Sequence, residues 1–547
     1  MICILHGYLL EGSGSNLWTR SIVDSLCRQG ETVHLMAQEN HPERYGFISE
    51  ARFYRADGTV ETRFRRAPST SGCCILHQPD LGDTLPVYVW DRYEQYPNVI
   101  PLVDLTDEQV EDYLERNTRA LLDIVRENGI TAIHANHAVL MSVVAQRVKA
   151  ATGVPYVVMP HGSALEFAVK RQARYHRMAV SAFSDASRVF VHGEEMRQRV
   201  RTILGDVPGL EDKFVNLHLG VDTSQFKPIP RSGRREMIGT MASALDGMAR
   251  GRGASHSAPM LGTLRGDMGW EELRALLAEE PAYDAKAPDA DVEARLNAVR
   301  WESDPTLLFV GRLISSKGIQ GVIAALPLIL RERPDMRLIV VGHGPLRRPL
   351  EALLWALQHG ERDLVRTIVA WGRELEGAPE GESQNAELTQ VARFLEQVEA
   401  AGELDAYYDA ARAHIRPDRV IFTGYLTHRE LRYLFPCCDA AVFPSVVKEA
   451  GPLVFLEALA SGTFPLGTYF AGMKASIDAV ADSLPPGAGD AMKLSAAADR
   501  TVADIVRQVP AALDMGERHK EALYRVARDR FDWTSVARTL HQELNEL

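Results

Sequence analysis

Residues 307–318 of the chain read LLFVGRLISSKG. Four apolar residues that end at a glycine are typical of a buried parallel strand, because helices cover both faces of such a strand. Arg312 and Lys317 follow the predicted strand, and open α/β sheets bind their ligands at the carboxyl ends of strands. A guanidinium and an ammonium group at that edge favour a ligand whose negative charge grows during reaction. The stretch therefore predicts a doubly wound α/β domain with an anion site.

A second stretch, residues 440–457, reads AAVFPSVVKEAGPLVFLE. Its first residues predict another buried strand, and its proline fits the first turn of a helix, where the missing N–H costs nothing. The N–H groups of Leu453 and Val454 then lie at a helix start, which favours phosphate binding. Glu449 can accept hydrogen bonds from sugar hydroxyls, and Glu457 can hold the two hydroxyls of a ribose. The two stretches together suit a sugar bound through a diphosphate.

These motifs resemble those of the retaining glycosyltransferases of family 4, which have the GT-B fold. Any one of the residues alone is more often a solvated surface charge. The resemblance implies that Arg312 and Lys317 contact the donor diphosphate. It also implies that Glu449 contacts the donor sugar and Glu457 the nucleotide ribose. We expect no metal cofactor, because enzymes of this fold generally need none, and we dismiss the Asp-Ala-Asp at 289–291 as a metal site.

Five further positions match residues that line the donor-binding side of the active site in the family. Gly12 and Gly14 lie in a glycine-rich turn after the first predicted strand, although such a turn alone often only makes a tight bend. Gly342 and Gly344 form a Gly-x-Gly turn that the resemblance places beside the nucleotide. Tyr425 follows a strand that flanks the base in the family.

His161 follows the predicted strand Tyr156–Met159 and so lies at the ligand edge of its sheet. A histidine at such a place is more often structural than catalytic. The resemblance nevertheless implies a contact with the donor sugar near the reacting carbon, and we predict that role for His161. His134 and His137 follow an earlier strand, and we interpret them as structural.

The chain alternates strands and helices, and the resemblance extends from end to end. It predicts an α/β, GT-B fold of two Rossmann-like doubly wound domains that face each other across a cleft. The acceptor-side domain spans residues 1–220 and includes a crossover helix at 531–547. A linker and partly flexible insertion follow at 221–304. The nucleotide-sugar-binding domain spans 305–530 and contains a second insertion at about 355–416.

Both insertions lie in the C-terminal half. The first is predicted to contain short helices at Trp270–Glu279 and Asp291–Trp301. The second holds nine acidic residues and one basic residue between Glu374 and Asp405, with helical periodicity around Leu388–Val398. That charge favours a solvated surface helix or a partner-binding arm.

Composition narrows the class of protein. A formal net charge of −12 argues against a nucleic-acid partner, and six cysteines without a Cys-x-x-Cys motif indicate reduced thiols. No apolar run reaches the roughly 20 residues of a membrane span, so we expect a cytoplasmic protein. Lys170, Arg171, Arg174 and Arg177 are predicted on one helix. A solvated face is the favoured interpretation, and an anionic acceptor or peripheral contact with the inner membrane face is the alternative.

The predicted function is retaining transfer of a hexosyl group from a nucleoside-diphosphate sugar to a hydroxyl acceptor. The acceptor is left open among saccharides, lipids and small metabolites, and a UDP-sugar is the preferred donor. Two alternatives remain, a sugar-nucleotide epimerase on the same fold and a scaffold that binds sugar nucleotides without turnover. A dinucleotide dehydrogenase is disfavoured because the first glycine-rich turn lacks a full Gly-x-Gly-x-x-Gly motif.

The donor loop departs from the family pattern. Many members read Glu-x-Phe-Gly where this chain reads Glu-Ala-Gly-Pro at 449–452. The change removes an aromatic ring and one N–H donor but no charged group. We therefore expect catalysis to persist, while the identity of the donor sugar is left open.

Overall fold

The computed structural model describes residues 1–11, 13–88, 96–278, 286–376, 387–449 and 451–547. Gly12 is the one predicted site residue outside these ranges. The chain forms two compact units. Unit 1 comprises Met1–Gly220 and Arg530–Leu547, and unit 2 comprises Val221–Asp529.

Unit 1 is built on a nine-stranded sheet among its described residues. The described strands of unit 1, in chain order, are β1 (Ile2–Leu5), β2 (Thr32–Met36), β3 (Ile48–Tyr54), β4 (Val60–Arg65), β5 (Cys73–Pro79), β6 (Thr84–Val87), β7 (Asn98–Pro101), β8 (Ala132–Asn136), β9 (Tyr156–Met159), β10 (Arg188–Val191) and β11 (Phe214–Asn216). The sheet order is β11-β10-β9-β8-β1-β2-β5-β3-β4, while β6 and β7 pair separately. Only β3 and β4 are antiparallel within the described sheet. The chain order reverses at β1, and such a reversal opens a crevice at the carboxyl ends of the strands.

Helices cover this sheet, and the C-terminal segment completes its core. The helices are Gly14–Arg28, Asp107–Asn128, Met141–Thr152, Gly162–Ala164, Ala173–Asp185, Glu194–Leu204, Leu210–Lys213 and Trp533–Asn545, with a π-helical turn at Leu165–Val169. Trp533 and Leu540 share one apolar cluster with Trp18 and Leu26 of the first helix. A β-carbon at Gly220 would overlap the Trp533 ring, so a glycine is required where unit 1 first ends.

Unit 2 contains a six-stranded sheet among its described residues. Its strands are β12 (Thr306–Val310), β13 (Arg337–Val341), β14 (Val420–Gly424), β15 (Ala440–Phe443), β16 (Phe464–Thr468) and β17 (Lys493–Leu494). The order is β14-β13-β12-β15-β16-β17, and every pair is parallel. The order reverses at β12, which lies between β13 and β15. Arg312 and Lys317 therefore follow the strand at the switch point, where ligands bind in such sheets.

The helices of unit 2 include those of both insertions. The α-helices of unit 2 are Arg234–Ala244, Ala254–Thr263, Trp270–Leu277, Val292–Asn297, Ile319–Glu332, Arg347–His359, Arg362–Leu375, Thr389–Ala400, Leu404–His414, His428–Leu434, Leu453–Ser461, Ala471–Ala481, Ala488–Ala491 and Thr501–Phe531. The helices at 270 and 292 were predicted, with longer bounds. Those at 234 and 254 were not, because Gly, Ser and Thr within them lower the helix propensity. In the helix Arg234–Ala244, Ile238 and Met241 are buried, so packing outweighs the low helix propensity.

The predicted acidic helix of the second insertion is Thr389–Ala400, and it is not solvated on every side. Val391, Phe394 and Val398 are buried. Tyr407, on the following helix, donates a hydrogen bond to the carbonyl oxygen of Ala324 at 2.9 Å. The helix is therefore a surface helix with one packed face, because its apolar residues recur at helical spacing and pack inward while Glu396 and Glu399 stay exposed.

The predicted basic helix face is wrong. Lys170 ends the π-helical turn, and Gln172 is extended (φ −134°, ψ 127°), so only Arg174 and Arg177 lie on the helix that follows. Arg174 donates to the carbonyl oxygen of Leu105 at 2.6 Å and so has a structural role. In the described ranges, no helix is both long and apolar enough to cross a membrane.

A buried carboxylate joins three elements of unit 2. Asp439, the residue before β15, is 1% exposed. Its carboxylate accepts hydrogen bonds from Arg231 at 2.9 Å, from Arg234 at 2.8 Å and from the Thr306 N–H at 2.8 Å. Arg234 is itself 1% exposed. Removal of Asp439 would thus leave the buried Arg234 guanidinium with only the half-exposed Glu517, at 3.9 Å, as a counter-charge among the described residues.

We expect Asp439→Ala to lower the free energy of unfolding of unit 2 by about 3–5 kcal/mol, because the buried Arg234 loses its 2.8 Å ion pair and keeps only the longer contact with Glu517. Denaturant unfolding followed by circular dichroism measures the change. Asp363→Ala is the control, since the Asp363 side chain is 85% exposed and pairs with the exposed Arg366 at 3.4 Å. We expect less than about 1 kcal/mol for the control. Equal effects of both substitutions would contradict the role of Asp439.

Candidate functional site

Two glycines bring the turn after β13 against the loop after β12. Gly342 and Gly344 have φ values of +149° and +150°, which favour glycine. A β-carbon at Gly342 would overlap the carbonyl oxygen of Gly311, and one at Gly344 would lie 2.5 Å from the carbonyl oxygen of Leu313. The predicted Gly-x-Gly turn is therefore packed directly on the segment that carries Arg312.

A third glycine joins the two motifs that decided the sequence interpretation. Gly318 has a φ of +77°, and a β-carbon there would overlap the carbonyl oxygen of Pro444. The N–H of Val446 donates to the carbonyl oxygen of Ser316 at 2.8 Å. The loop after β12 and the loop after β15 are consequently held together by backbone contacts.

Lys317 and Glu449 form an ion pair, which the sequence did not indicate. The Lys317 ammonium donates to Oε1 of Glu449 at 2.8 Å, and the two side chains are 30% and 24% exposed. The carbonyl oxygen of Glu449 accepts the N–H of Gly472 at 2.9 Å. Ala471 beside it has a left-handed φ of +47°, an uncommon conformation that is found at functional sites. The pair is thus supported on the Glu449 side by a strained backbone segment.

Arg312 contrasts with Lys317 because its side chain is exposed. Within the described ranges it forms neither a hydrogen bond nor an ion pair. Its guanidinium lies just after β12 and can bind an anion without first breaking another contact.

The helix Leu453–Ser461 begins one residue later than predicted. Pro452 is its N-cap residue, and no side chain caps the helix from that position. Leu453 and Val454 are therefore the first two helical residues, whose N–H groups have no acceptor within a helix. This start follows β15 at the carboxyl edge of the sheet, so the N–H groups and the partial positive charge of the helix favour an anion there.

Glu457 lies in the same helix and has one oxygen without a partner. Its side chain is 7% exposed, and Oε1 accepts a hydrogen bond from Nδ1 of His428. Oε2 is buried and has no hydrogen-bond partner in the described structure. An unpaired buried acceptor costs roughly 1–3 kcal/mol, and more when charged, so Oε2 is a strong acceptor for a ligand hydroxyl. No motif signals His428, because it lies 29 residues before Glu457.

The first insertion contacts the turn that carries Tyr425. The Tyr425 N–H donates to the carbonyl oxygen of Ala287 at 3.0 Å, and the Tyr425 ring lies edge-on to His343 with centroids 5.2 Å apart. Gly424 has a φ of +72°, and a β-carbon there would lie 2.6 Å from the Asp289 nitrogen. The insertion thus supplies part of the surroundings of Tyr425, which sequence reasoning missed.

The Asp-Ala-Asp at 289–291 belongs to an ion-pair network. Asp289 accepts from Arg347 at 2.9 Å and from Arg295 at 2.7 Å. Asp291 accepts from Arg295 at 2.6 Å. Arg347 and Arg295 thus form ion pairs with the two carboxylates and give them a structural role.

In unit 1, a hydrogen-bond chain orients His161. Its Nε2–H donates to Oδ1 of Asn136 at 3.0 Å, and the Asn136 amide donates to Oγ1 of Thr19 at 3.1 Å. Thr19 in turn lies 3.1 Å from Nδ1 of His6. Burial, together with the neighbouring His6, lowers the pKa of His161 well below its ordinary value. The ring is therefore neutral, with Nδ1 left as an acceptor.

At this end of unit 1, Gly7 was not anticipated, and His137 was interpreted only as structural. Gly14 begins the first helix in open space, whereas the constrained glycine is Gly7, whose φ is +77° and whose β-carbon would lie 2.9 Å from the Tyr113 hydroxyl. His137 has a left-handed φ of +72°, is 1% exposed, and has no hydrogen-bond partner for either ring nitrogen among the described residues. Its unpaired nitrogens distinguish it from His134, whose Nε2 bonds Asn136 at 3.3 Å.

Two family models match the chain. The model for Glycosyltransferase Family 4 matches residues 88–225, and the model for Glycosyl transferases group 1 matches residues 293–365 and 398–483. Together they cover just over half of the chain. The unmatched stretches between them contain most of the two insertions.

A curated relative of this chain is also a glycosyltransferase. The chain is 31% identical to a 2-deoxystreptamine N-acetyl-D-glucosaminyltransferase of Streptomyces fradiae over 179 residues, which are 32% of this chain and 39% of that protein. The chain thus spans well under two thirds of that relative.

Solved structures share the fold over the whole chain. Sucrose-phosphate synthase from Thermosynechococcus elongatus has a TM-score of 0.52 at 15% identity and covers 100% of this chain and 98% of that one. Anabaena HepE in complex with UDP has a TM-score of 0.50 at 15% identity and covers 100% of both chains. At that identity the likeness concerns the fold alone. The chain belongs to the glycosyltransferases of family 4 and has the GT-B fold.

Proposed function

We propose that the chain is a retaining glycosyltransferase that moves a hexosyl group from a nucleoside-diphosphate sugar to a hydroxyl acceptor. The observation that carries the proposal is the grouping at the carboxyl edge of the unit 2 sheet. An exposed guanidinium, a Lys–Glu ion pair and a helix start follow the neighbouring strands β12 and β15. Cations suit a diphosphate, and carboxylates suit sugar hydroxyls.

In the proposed complex, Arg312 and the N–H groups of Leu453 and Val454 bind the diphosphate. Oε2 of Glu457 accepts a hydrogen bond from the ribose, which supplies its missing partner. His428 holds the other oxygen of the same carboxylate. The turns at Gly342, Gly344 and Tyr425 are the proposed surroundings of the nucleotide.

Donor binding is proposed to exchange the Lys317–Glu449 pair for contacts with the substrate. Lys317 turns to the diphosphate, and Glu449 accepts a hydrogen bond from a sugar hydroxyl. As the anomeric C–O bond breaks, its electrons pass to the leaving diphosphate, whose growing charge Arg312 and Lys317 stabilise. The acceptor oxygen attacks the same face of the sugar, and its proton passes to the leaving phosphate, so the anomeric configuration is retained.

His161, in unit 1, keeps its proposed role as a contact of the donor sugar. Its neutral ring can accept a hydroxyl hydrogen bond at Nδ1, because Nε2–H is held by Asn136. It supplies no positive charge to the leaving group. That task belongs to Arg312 and Lys317, which is why we propose that no metal ion is needed.

The proposal is tested by transfer from labelled nucleoside-diphosphate sugars to a panel of saccharide, lipid and small-molecule acceptors in the presence of EDTA. UDP-sugars come first, since the HepE structure of the same fold holds UDP. We expect a glycosidic bond with the anomeric configuration of the donor, read by nuclear magnetic resonance. An inverted product would contradict the retaining mechanism. Conversion of the donor without an acceptor would indicate an epimerase, and binding without turnover a scaffold.

We expect Lys317→Ala to lower kcat for nucleoside diphosphate release by about 10²–10³-fold, with a much smaller change in KM. The reason is that the benefit of the ammonium grows as the leaving group gains charge. Lys474→Ala is the matched control, because that lysine is 51% exposed and pairs with Asp478. A rise in KM with unchanged kcat would refute this role.

Glu457→Ala should weaken the binding of the free nucleoside diphosphate by about ten- to a hundredfold, because a hydrogen bond to a charged group contributes roughly 1.5–3 kcal/mol. Titration calorimetry measures the affinity, with Glu396→Ala on an exposed helix face as the control. A 2′,3′-dideoxy nucleotide should bind the wild type as weakly as Glu457→Ala binds the normal nucleotide. The dideoxy nucleotide should lose little further affinity in Glu457→Ala, since removal of the ribose hydroxyls and removal of the carboxylate abolish the same contact. Fully additive losses would argue against a ribose contact.

A further inference from the structure

The short helical turn that carries Lys317 has no cap from its own sequence. The turn is the 3₁₀ helix Ser315–Lys317, and its N-cap residue is Ile314. Ile314 has the extended conformation of an N-cap (φ −131°, ψ 152°), yet no side-chain hydrogen bond is made from it. Ser, Thr, Asp and Asn are the usual residues at such a position because their side chains accept an orphan N–H.

The missing acceptor comes from the second insertion. Oε2 of Glu376 accepts the N–H of Ser315 at 3.0 Å, across 61 residues of sequence. Glu376 is the residue that ends the helix Arg362–Leu375. An element inserted into unit 2 thus contacts the backbone of the loop after β12.

The other contacts of the turn lie further along it. The Ser315 carbonyl oxygen accepts from Gln320 at 2.8 Å, and the Ser316 carbonyl oxygen accepts from the Val446 N–H at 2.8 Å. Both involve carbonyl groups, whereas Glu376 holds the N–H at the first residue of the turn. Loss of Glu376 would free that end while the rest of the loop remains attached.

We propose that Glu376 is a positioning residue that caps the Lys317 turn from the insertion. This inference rests on the proposed role of Lys317 with the donor diphosphate. The contribution of Glu376 is geometric, because its negative charge opposes anion binding nearby. An uncharged acceptor at the same place therefore serves as well.

The test compares four variants with the wild type. Glu376→Ala removes the cap, and Glu376→Gln keeps an acceptor without the charge. Ile314→Asn combined with Glu376→Ala supplies a local cap at the N-cap position. Glu374→Ala is the matched control, because the Glu374 side chain lies on the same helix and bonds none of the described residues.

Two readouts are taken on the full chain, hydrogen exchange of the peptide covering residues 311–319 and steady-state release of nucleoside diphosphate. Glu376→Ala should exchange faster there and lose about tenfold in kcat, with a smaller change in KM, as expected for one lost cap. Glu376→Gln, the double variant and Glu374→Ala should stay within about twofold of the wild type.

Three results overturn the proposal. They are unchanged exchange in Glu376→Ala, faster exchange with unchanged kcat, and equal impairment of Glu376→Gln and Glu376→Ala. If the wild type releases no nucleotide, the proposed function fails, and with it the effect on turnover. In that case faster exchange in Glu376→Ala that returns to the wild-type rate in Glu376→Gln still supports the cap.

Discussion

The contact between Gly318 and the carbonyl oxygen of Pro444 is the constraint on which the proposed donor site of unit 2 depends. Any side chain at position 318 would overlap that oxygen, so the loops after β12 and β15 can approach only through a glycine. The approach allows Val446 to bond Ser316 and brings the Lys317 ammonium to 2.8 Å from Glu449. Two motifs more than 120 residues apart in sequence therefore become one site through a backbone contact.

The charges of this site are nearly balanced without a ligand. Lys317 pairs with Glu449, and His428 bonds one oxygen of Glu457. In the proposed donor site, the exposed Arg312 and Oε2 of Glu457, which has no partner among the described residues, are the groups that bind the ligand. A ligand that carries both a diphosphate and a ribose can satisfy both groups, whereas a simple anion can satisfy only one. Since an unpaired buried acceptor is costly, this arrangement favours a nucleotide over inorganic phosphate.

The sequence predicted those features that local patterns encode. The buried strands before Gly311 and Pro444 are continuous apolar runs in the sequence. The glycines at 342 and 344 mark a turn in which a β-carbon would overlap neighbouring backbone atoms. Contacts between side chains far apart in sequence left no such signal. His428 reaches Glu457, and Glu376 reaches Ser315, without any periodicity that relates the partners. The basic helix was mispredicted because the spacing of the charges does not reveal that Gln172 has an extended backbone, which separates Lys170 and Arg171 from the helix that follows.

The most direct test of a donor site in unit 2 is thermal unfolding with a panel of nucleoside diphosphates in EDTA, for the wild type and for Arg312→Ala. We predict that one nucleotide raises the unfolding temperature of the wild type in a concentration-dependent manner, because a ligand that binds only the folded state stabilises it. The same nucleotide should give a smaller shift in Arg312→Ala, since the exposed guanidinium is its proposed phosphate contact. No shift with any nucleotide, or equal shifts in both proteins, would contradict the account.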